Sequence, residues 1–427
     1  MGPTRRAAAT TAADDVLRDP HLVRCMMVYQ CGIFESLRPY FLRVMQKQHA
    51  DCPYIEPTFG LLRDPRLVSV ELVQAGDIAL LKELMRCQLD DVCQTIAGQW
   101  KIMDFAAFYG QLEIVHLLHA TALPLCTIHA IDLASQQGHL SVVEFLHTHR
   151  TEGCTRRAIE SAAERGHVAV VRFLHANGRG DGCRPLAMDR AAANGHLDVV
   201  EFLHSHREEG CTTLAMDDAA AHGHIDVVRF LHGHRTEGCT AWAVDQAAMH
   251  GHLDVVVYLL EHRDEGGMAS TIDKAAAKGR LDVVKYLHEH AIEGCTHRAM
   301  DGAAEAGHLE VVQFLHAHRR EGCSIWAMNL AAKHGYFDVV RFLHEHRHEG
   351  CTTAAVDEAA RHGHLDIVKF LLTFRTEGYS MDALEYAAQG GHYNVVKYLH
   401  AKAIGGGDRD SALASLAVHR TSGPSRK

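Results

Sequence analysis

The sequence predicts an all-α fold, a solenoid of about twelve stacked helix-turn-helix repeats with a helical segment at its N-terminal side. Three observations predict it. One unit recurs, as in Asp357-Glu-Ala-Ala-Arg-His-Gly363-His-Leu-Asp-Ile-Val-Lys-Phe-Leu371, and self-similarity at a fixed short period marks a repeat array. Both halves of that unit place apolar residues at helical spacing. No alternating strand pattern occurs in the array.

The glycine of the Gly-His-Leu motif fixes the register, at Gly110, Gly138, Gly166, Gly195, Gly223, Gly251, Gly279, Gly307, Gly335, Gly363 and Gly391. Nine of the ten intervals are 28 residues and one is 29. Ala75-Gly76-Asp-Ile-Ala-Leu-Leu-Lys-Glu-Leu84 reads as a degenerate first copy. Three regions follow: residues 1–60, a helical cap behind a disordered start; residues 61–404, the array; and residues 405–427, a half-repeat and a flexible tail. Asp19 to Gln48 carries the apolar helical pattern of the cap, which would cover the open end of the stack. Ser411 to Val418 would supply the closing helix.

Within one repeat, Ala355, Val356, Ala359 and Ala360 define a short first helix whose small side chains let a neighbour approach closely, and Thr352 is placed to cap its start. Leu365, Ile367, Val368, Phe370 and Leu371 define a second helix with apolar residues on more than one side, as expected between neighbours. An acid followed by a base three residues on, in Asp226/Arg229, Asp282/Lys285, Asp338/Arg341 and Asp366/Lys369, suits the helix dipole and pairing on one face. Gly322, Gly350 and Gly378 punctuate the turn into the next unit.

With 427 residues the chain is too long for one compact core, and an elongated stack resolves that. The formal net charge of -10, with 35 histidines, disfavours nucleic acid or an anionic membrane as partner. No apolar run of membrane-spanning length is present and the start lacks the core of a secretion signal, so a cytoplasmic location is expected, the nucleus being open as well. Eight of 13 cysteines share one repeat slot: Cys126, Cys154, Cys183, Cys211, Cys239, Cys295, Cys323 and Cys351. Helices packed at roughly 8–10 Å exceed the ~7 Å Cα limit of a disulfide, so these are read as reduced, semi-buried thiols.

The string Ala359-Ala360-Arg-His-Gly363-His364-Leu365-Asp-Ile367-Val368-Lys-Phe-Leu371 resembles the core of the ankyrin repeat, and the likeness extends over roughly residues 65–404. The family's Thr-Pro-Leu-His opening is missing. Its histidine slot holds Asp104, Asp132, Glu160, Asp189, Asp217, Asp245, Asp273, Asp301, Asn329, Asp357 and Glu385, where an acid would cap the first helical turn. A period of 28 against the usual 33 implies shortened β-turn fingers. The resemblance implies a non-catalytic scaffold that binds proteins on a concave surface lined by first helices, with the pair before Gly-His facing the partner. From those pairs the expected contact residues are Phe108, Tyr109, Gln137, Arg165, Asn194, His222, Met249, His250, Lys278, Lys333, His334, Arg361 and His362. Trp242 and Trp326, early in their first helices, are expected to pack rather than to bind.

A monomer is expected, with protein partners and with no nucleic acid, membrane, metal or cofactor. The alternative is a substrate adaptor of a ubiquitin ligase, through a degenerate F-box-like segment at Cys31-Gly-Ile-Phe-Glu-Ser-Leu37 that lacks the Leu-Pro start of that family. A host-directed effector ranks third, given the missing secretion signal. His344-Glu-His346 with Cys351, and its relatives in other repeats, look like zinc ligands, but residues two apart on a helix point to different sides. No phosphate loop, nucleophile elbow or carboxylate pair points to catalysis. Rows of imidazoles at equivalent positions imply an array that loosens below about pH 6.

Overall fold

The computed structural model describes residues 66–87, 100–121, 123, 125–178, 184–268, 270–290 and 295–405. The N-terminal helical pattern, the F-box-like segment, Cys183 and Ser411 to Val418 lie outside these residues. The described residues form 24 helices and no strand. They fall into two compact units, one up to Ala215 and one from Met216, with the division inside the helix Thr213–Ala221.

In the first unit the helix pairs are Arg66–Ala75 with Ile78–Cys87, Ile102–Phe108 with Leu112–Ala120, His129–Gln137 with Leu140–His149, Arg157–Glu164 with Val168–Ala176, and Leu186–Ala193 with Leu197–His206. The second unit continues as Ile225–His234, then Ala241–His250 with Leu253–His262, Thr271–Ala277 with Leu281–Glu289, His297–Glu305 with Leu309–His318, Ile325–His334 with Phe337–His346, Thr353–Arg361 with Leu365–Phe374, and Asp382–Gln389 with Tyr393–Gly405. Within each unit, first helices pack mainly on the first helices of adjoining repeats, and each second helix packs mainly on its own first helix.

Side-chain size explains that arrangement. Ala359 and Ala360 are wholly buried in the first helix, and Ile367, Val368 and Leu371 in the second, a pattern repeated along both units. Each fully buried branched or leucine side chain contributes about 1.5–3 kcal/mol of transfer free energy. The alanines contribute little burial but permit contact at short range. Gly302 takes this to its limit: a Cβ there would stand 2.7 Å from the Ala277 Cβ on the neighbouring first helix.

The start of a first helix is capped as expected. Thr352 accepts from the amide of Ala354, and Thr240, Thr296 and Ser324 do the same two residues ahead. The acid slot behaves differently from the expectation. Most of its carboxylates are buried and reach forward to the capping residue of the next repeat instead of serving only their own helix. Asp132 accepts from Thr155 N at 2.8 Å and Oγ1 at 2.7 Å. Asp189 does so from Thr212, Asp217 from Thr240, Asp273 from Thr296 and Asp301 from Ser324, always 23 residues on. Asp104 does both jobs, accepting from Lys101 N and from Thr127. Asn329 fills the slot with an amide, its Oδ1 accepting from Thr352 N and its Nδ2 donating to Thr352 Oγ1. The cap residue's hydroxyl therefore joins two adjacent repeats in one hydrogen-bond chain.

A second seam runs through the turns. Arg150, Arg207, Arg235, Arg263, Arg347 and Arg375 each bind the glutamate two residues on, with guanidiniums largely withdrawn from solvent. Arg375 holds the Glu377 carboxyl down at about 2. The charges of Arg150, Arg263, Arg319, Arg347 and Arg375 also act on the thiols of Cys126, Cys239, Cys295, Cys323 and Cys351 in the preceding turns. Burial pushes Cys126 and Cys323 up to about 12 and Cys239, Cys295 and Cys351 up to about 11. The thiolate is the reactive species. A disulfide-exchange reagent at mildly alkaline pH is therefore expected to label these cysteines at least about tenfold more slowly in the folded chain than in denaturant, read as thiol release against time.

Of the acid-base pairs expected on the second helices, Arg341 and Asp338 close at 2.9 Å. Arg229 lies instead over Tyr258 of the next second helix at 5.5 Å, and Lys369 over Tyr398 at 5.8 Å. Flat aromatic faces on the neighbouring repeat compete with a solvated carboxylate on the same helix.

Candidate protein-binding surface

The Gly-His motif positions the surface. Its imidazole does not cap its own helix; it lies across the landmark glycine of the preceding repeat and bonds to a carbonyl there. His139 Nε2–H donates to Phe108 O at 3.2 Å, and His364 Nε2–H to Lys333 O at 3.2 Å. A carbonyl has only lone pairs, so the contact fixes the proton on Nε2. Arg280 replaces the imidazole in one repeat and donates from Nε to Met249 O at 3.4 Å. In each case the carbonyl belongs to the first member of the variable pair, so the framework holds the backbone from which the variable side chains project.

Arg165, Asn194, His222, His250, Lys278, His334, Arg361 and His362 are exposed, whereas Phe108, Tyr109, Gln137, Met249 and Lys333 are half-buried. Phe108 and Tyr109 spend part of their surface on each other, edge to face at 5.0 Å. Some exposed members meet across repeats: Arg165 donates to Gln137 Oε1 at 3.2 Å, and the Arg361 guanidinium lies 3.9 Å from the Tyr386 ring centre. Others are tied to their own helix, with His222, His250 and His362 bonded through Nδ1 to carbonyls four residues back. These contacts orient the side chains and leave them accessible.

Trp242 and Trp326 depart from the packing expected of them. They are 37% and 57% exposed, and Leu214 in the equivalent place is 51% exposed. The second position of a first helix lies outside the stack, so this column belongs to the surface. Its sequence signal was the variety it tolerates, from His129 and Arg157 to Trp326 and Ala354.

The histidines two apart diverge. His344 meets Phe370 of the following repeat edge-on at 5.2 Å, while His346 stacks on Phe342 of its own helix at 4.3 Å. The same division recurs for His316 and His318, and the rings form an aromatic layer along the second helices. Among the described residues no group of three or more His, Cys, Asp or Glu is arranged to hold a metal ion. No described helix is long and apolar enough to cross a membrane.

A family model described as ankyrin repeats (3 copies) matches residues 131–217, 188–270, 216–299, 246–329 and 328–410. The chain belongs to the ankyrin-repeat family. A comparison with curated proteins found no match. Ankyrin repeats are protein-protein interaction modules and are typically non-catalytic, in keeping with an all-helical ankyrin array whose variable residues stand on one edge of each first helix.

The ankyrin framework carries a pH response. Burial lowers the pKa of His167, His252, His308, His316 and His364 below the ordinary 6.5. A base whose folded pKa is depressed gives stability that is full above the unfolded pKa and lost as pH falls toward the folded value. Burial shifts Asp104, Asp132, Asp217 and Asp357 upward from 3.8, a change of opposite sign that starts from the acid end. The melting temperature is therefore expected to fall between about pH 7.5 and about pH 6 through the imidazoles, as read by circular dichroism.

Proposed function

We propose that the chain is a non-catalytic scaffold that binds partner proteins along the first-helix edge of its ankyrin repeats. The observation that carries this reading is the contrast between a framework fixed by buried hydrogen bonds and the exposed, chemically varied residues it holds at Arg165, His250, Lys278, His334 and Arg361. Residues that bind each other across the seam are nearly identical from repeat to repeat, while those on the edge differ, as a recognition surface requires. Aromatic and arginine residues on that edge, Tyr109 and Arg361 among them, belong to the types that anchor protein interfaces.

The test compares affinity capture from native cell extract by the natural chain and by a variant carrying Tyr109→Ala, Arg165→Ala, His250→Ala, His334→Ala and Arg361→Ala. Equal helicity and equal melting temperature establish that the variant is folded. Loss of a reproducible protein partner is the expected result. The same partners on both chains would overturn the assignment to this edge.

A further inference from the structure

The acid seam is interrupted once in the first unit. Glu160 stands where most repeats have aspartate, and Arg184 stands where they have threonine or serine. The two meet at 3.3 Å, 24 residues apart instead of 23, with Glu160 just before and Arg184 inside the single 29-residue interval from Gly166 to Gly195. A longer acid and a longer base thus bridge a gap that a carboxylate and a hydroxyl close elsewhere. Beside this bridge lies a cavity of about 540 Å³. Trp100, Leu133 and Leu186 supply apolar wall, Asp132, Glu160 and Glu164 line it with acid, and Arg157, Arg184 and Arg190 are exposed. Its size is in the range of natural ligand pockets.

The charge distribution says what it accepts. The acids are already occupied: Asp132 by the amide and hydroxyl of Thr155, Glu160 by Arg184, and Glu164 by Arg190 at 2.6 Å. Among the described residues the Arg157 guanidinium closes no ion pair, its charge acting on the Asp132 carboxyl only from a distance. Arg190 gives Glu164 one of an arginine's five N–H donors. An incoming cation would meet two buried, hydrogen-bonded carboxylates and a partly exposed Glu164 already paired with Arg190, whereas an incoming oxyanion would meet exposed donors in a fork geometry suited to it. The cavity also adjoins the variable pairs Gln136-Gln137 and Glu164-Arg165, so a segment lying along the first-helix edge would reach it.

We infer that the cavity at the Glu160–Arg184 break is a subsite for an oxyanion-bearing side chain, carboxylate or phosphate, of the bound partner segment, with Arg157 as its principal contact. The inference rests on the first-helix edge being the binding surface and names the chemistry of one place on it. Aromatic or aliphatic residues beside the anion would cover Trp100 and Leu133.

The experiment uses the full chain and three synthetic bead libraries of short random peptides with a fixed central glutamate, phosphoserine or glutamine. Binding is measured for the natural chain, Arg157→Gln, and Arg157→Glu combined with Arg190→Glu, each verified for helicity and melting temperature. Glutamate- or phosphoserine-centred beads should be retained about tenfold better than glutamine-centred ones, and the preference should collapse in both variants. The better of the two anionic libraries identifies the source of the oxyanion. Equal retention of all three libraries, no retention of the anionic ones, or undiminished binding to the double variant would overturn the inference. Displacement of the anionic beads by a random single-stranded oligonucleotide with the same arginine dependence would also overturn it, in favour of nucleic acid. A failure here with extract capture still dependent on the edge residues would discard this subsite and leave the scaffold reading standing.

Discussion

Asp301→Ala is expected to remove about 3 kcal/mol of stability, while Asp301→Asn should cost less than about 1 kcal/mol. The Asp301 carboxylate accepts from Ser324 N at 2.8 Å and from Ser324 Oγ at 2.6 Å, and Ser324 Oγ in turn accepts from Trp326 N. Alanine strands a buried amide and frees the hydroxyl that caps the next helix, so one substitution weakens two repeats. Asparagine keeps the shape and one acceptor, and the chain already contains the proof of principle in the Asn329–Thr352 pair. Urea unfolding followed by circular dichroism reads the difference. Because stability in such arrays is a sum of nearest-neighbour terms, hydrogen exchange at the Ser324 amide should respond more than exchange in remote repeats. Equal midpoints for the alanine and asparagine variants would sink the argument.

The second large effect is expected at Gly335. Its φ is +83°, and a Cβ there would stand 2.5 Å from the His364 ring. Gly335→Ala incurs about 1–2 kcal/mol for a left-handed residue with a side chain, and about 1–3 kcal/mol more for displacing a packed group. The imidazole cannot yield freely, since it holds Lys333 O. Gly378 supplies the control: φ is +73° there too, but nothing lies within 4 Å of an added Cβ. Gly378→Ala should therefore lose only the backbone term, about 1–2 kcal/mol. Thermal melts of the two variants separate the steric from the conformational contribution. Gly335→Ala should further shift the Lys333-His334 backbone, so partner capture ought to weaken there and not in Gly378→Ala.

The helical stack was legible because the same residues recur in register: paired alanines, Gly-His, and Val-Val followed by leucine carry both the period and the core. What the sequence did not disclose was partnership over distance. An aspartate in a first turn looks the same whether it caps its own helix or the next one. Only the spatial placement of Thr155 against Asp132 decides between them. Trp242 and Trp326 misled for a related reason, since large apolar residues argue for burial unless their place relative to the stack is known. The variable pairs were found by their variety, and the structure sets eight of the thirteen in solvent. The Glu160–Arg184 break was visible as a one-residue surplus and two odd letters, but the cavity beside it follows from where those longer side chains reach.

The 23-residue reach from acid to cap has a consequence for how such a chain grows. Because the two halves of the bond sit in neighbouring units and most interior units carry one of each, a duplicated block of one full period taken from such units inserts complete wherever its ends fall. Its leading cap meets the acid already there, and its own acid meets the cap that follows. Lengthening needs no new interface to be invented, whereas a block of any other length leaves a carboxylate facing the wrong residue. The 29-residue interval records what tolerating such a misfit requires, a glutamate and an arginine long enough to find each other.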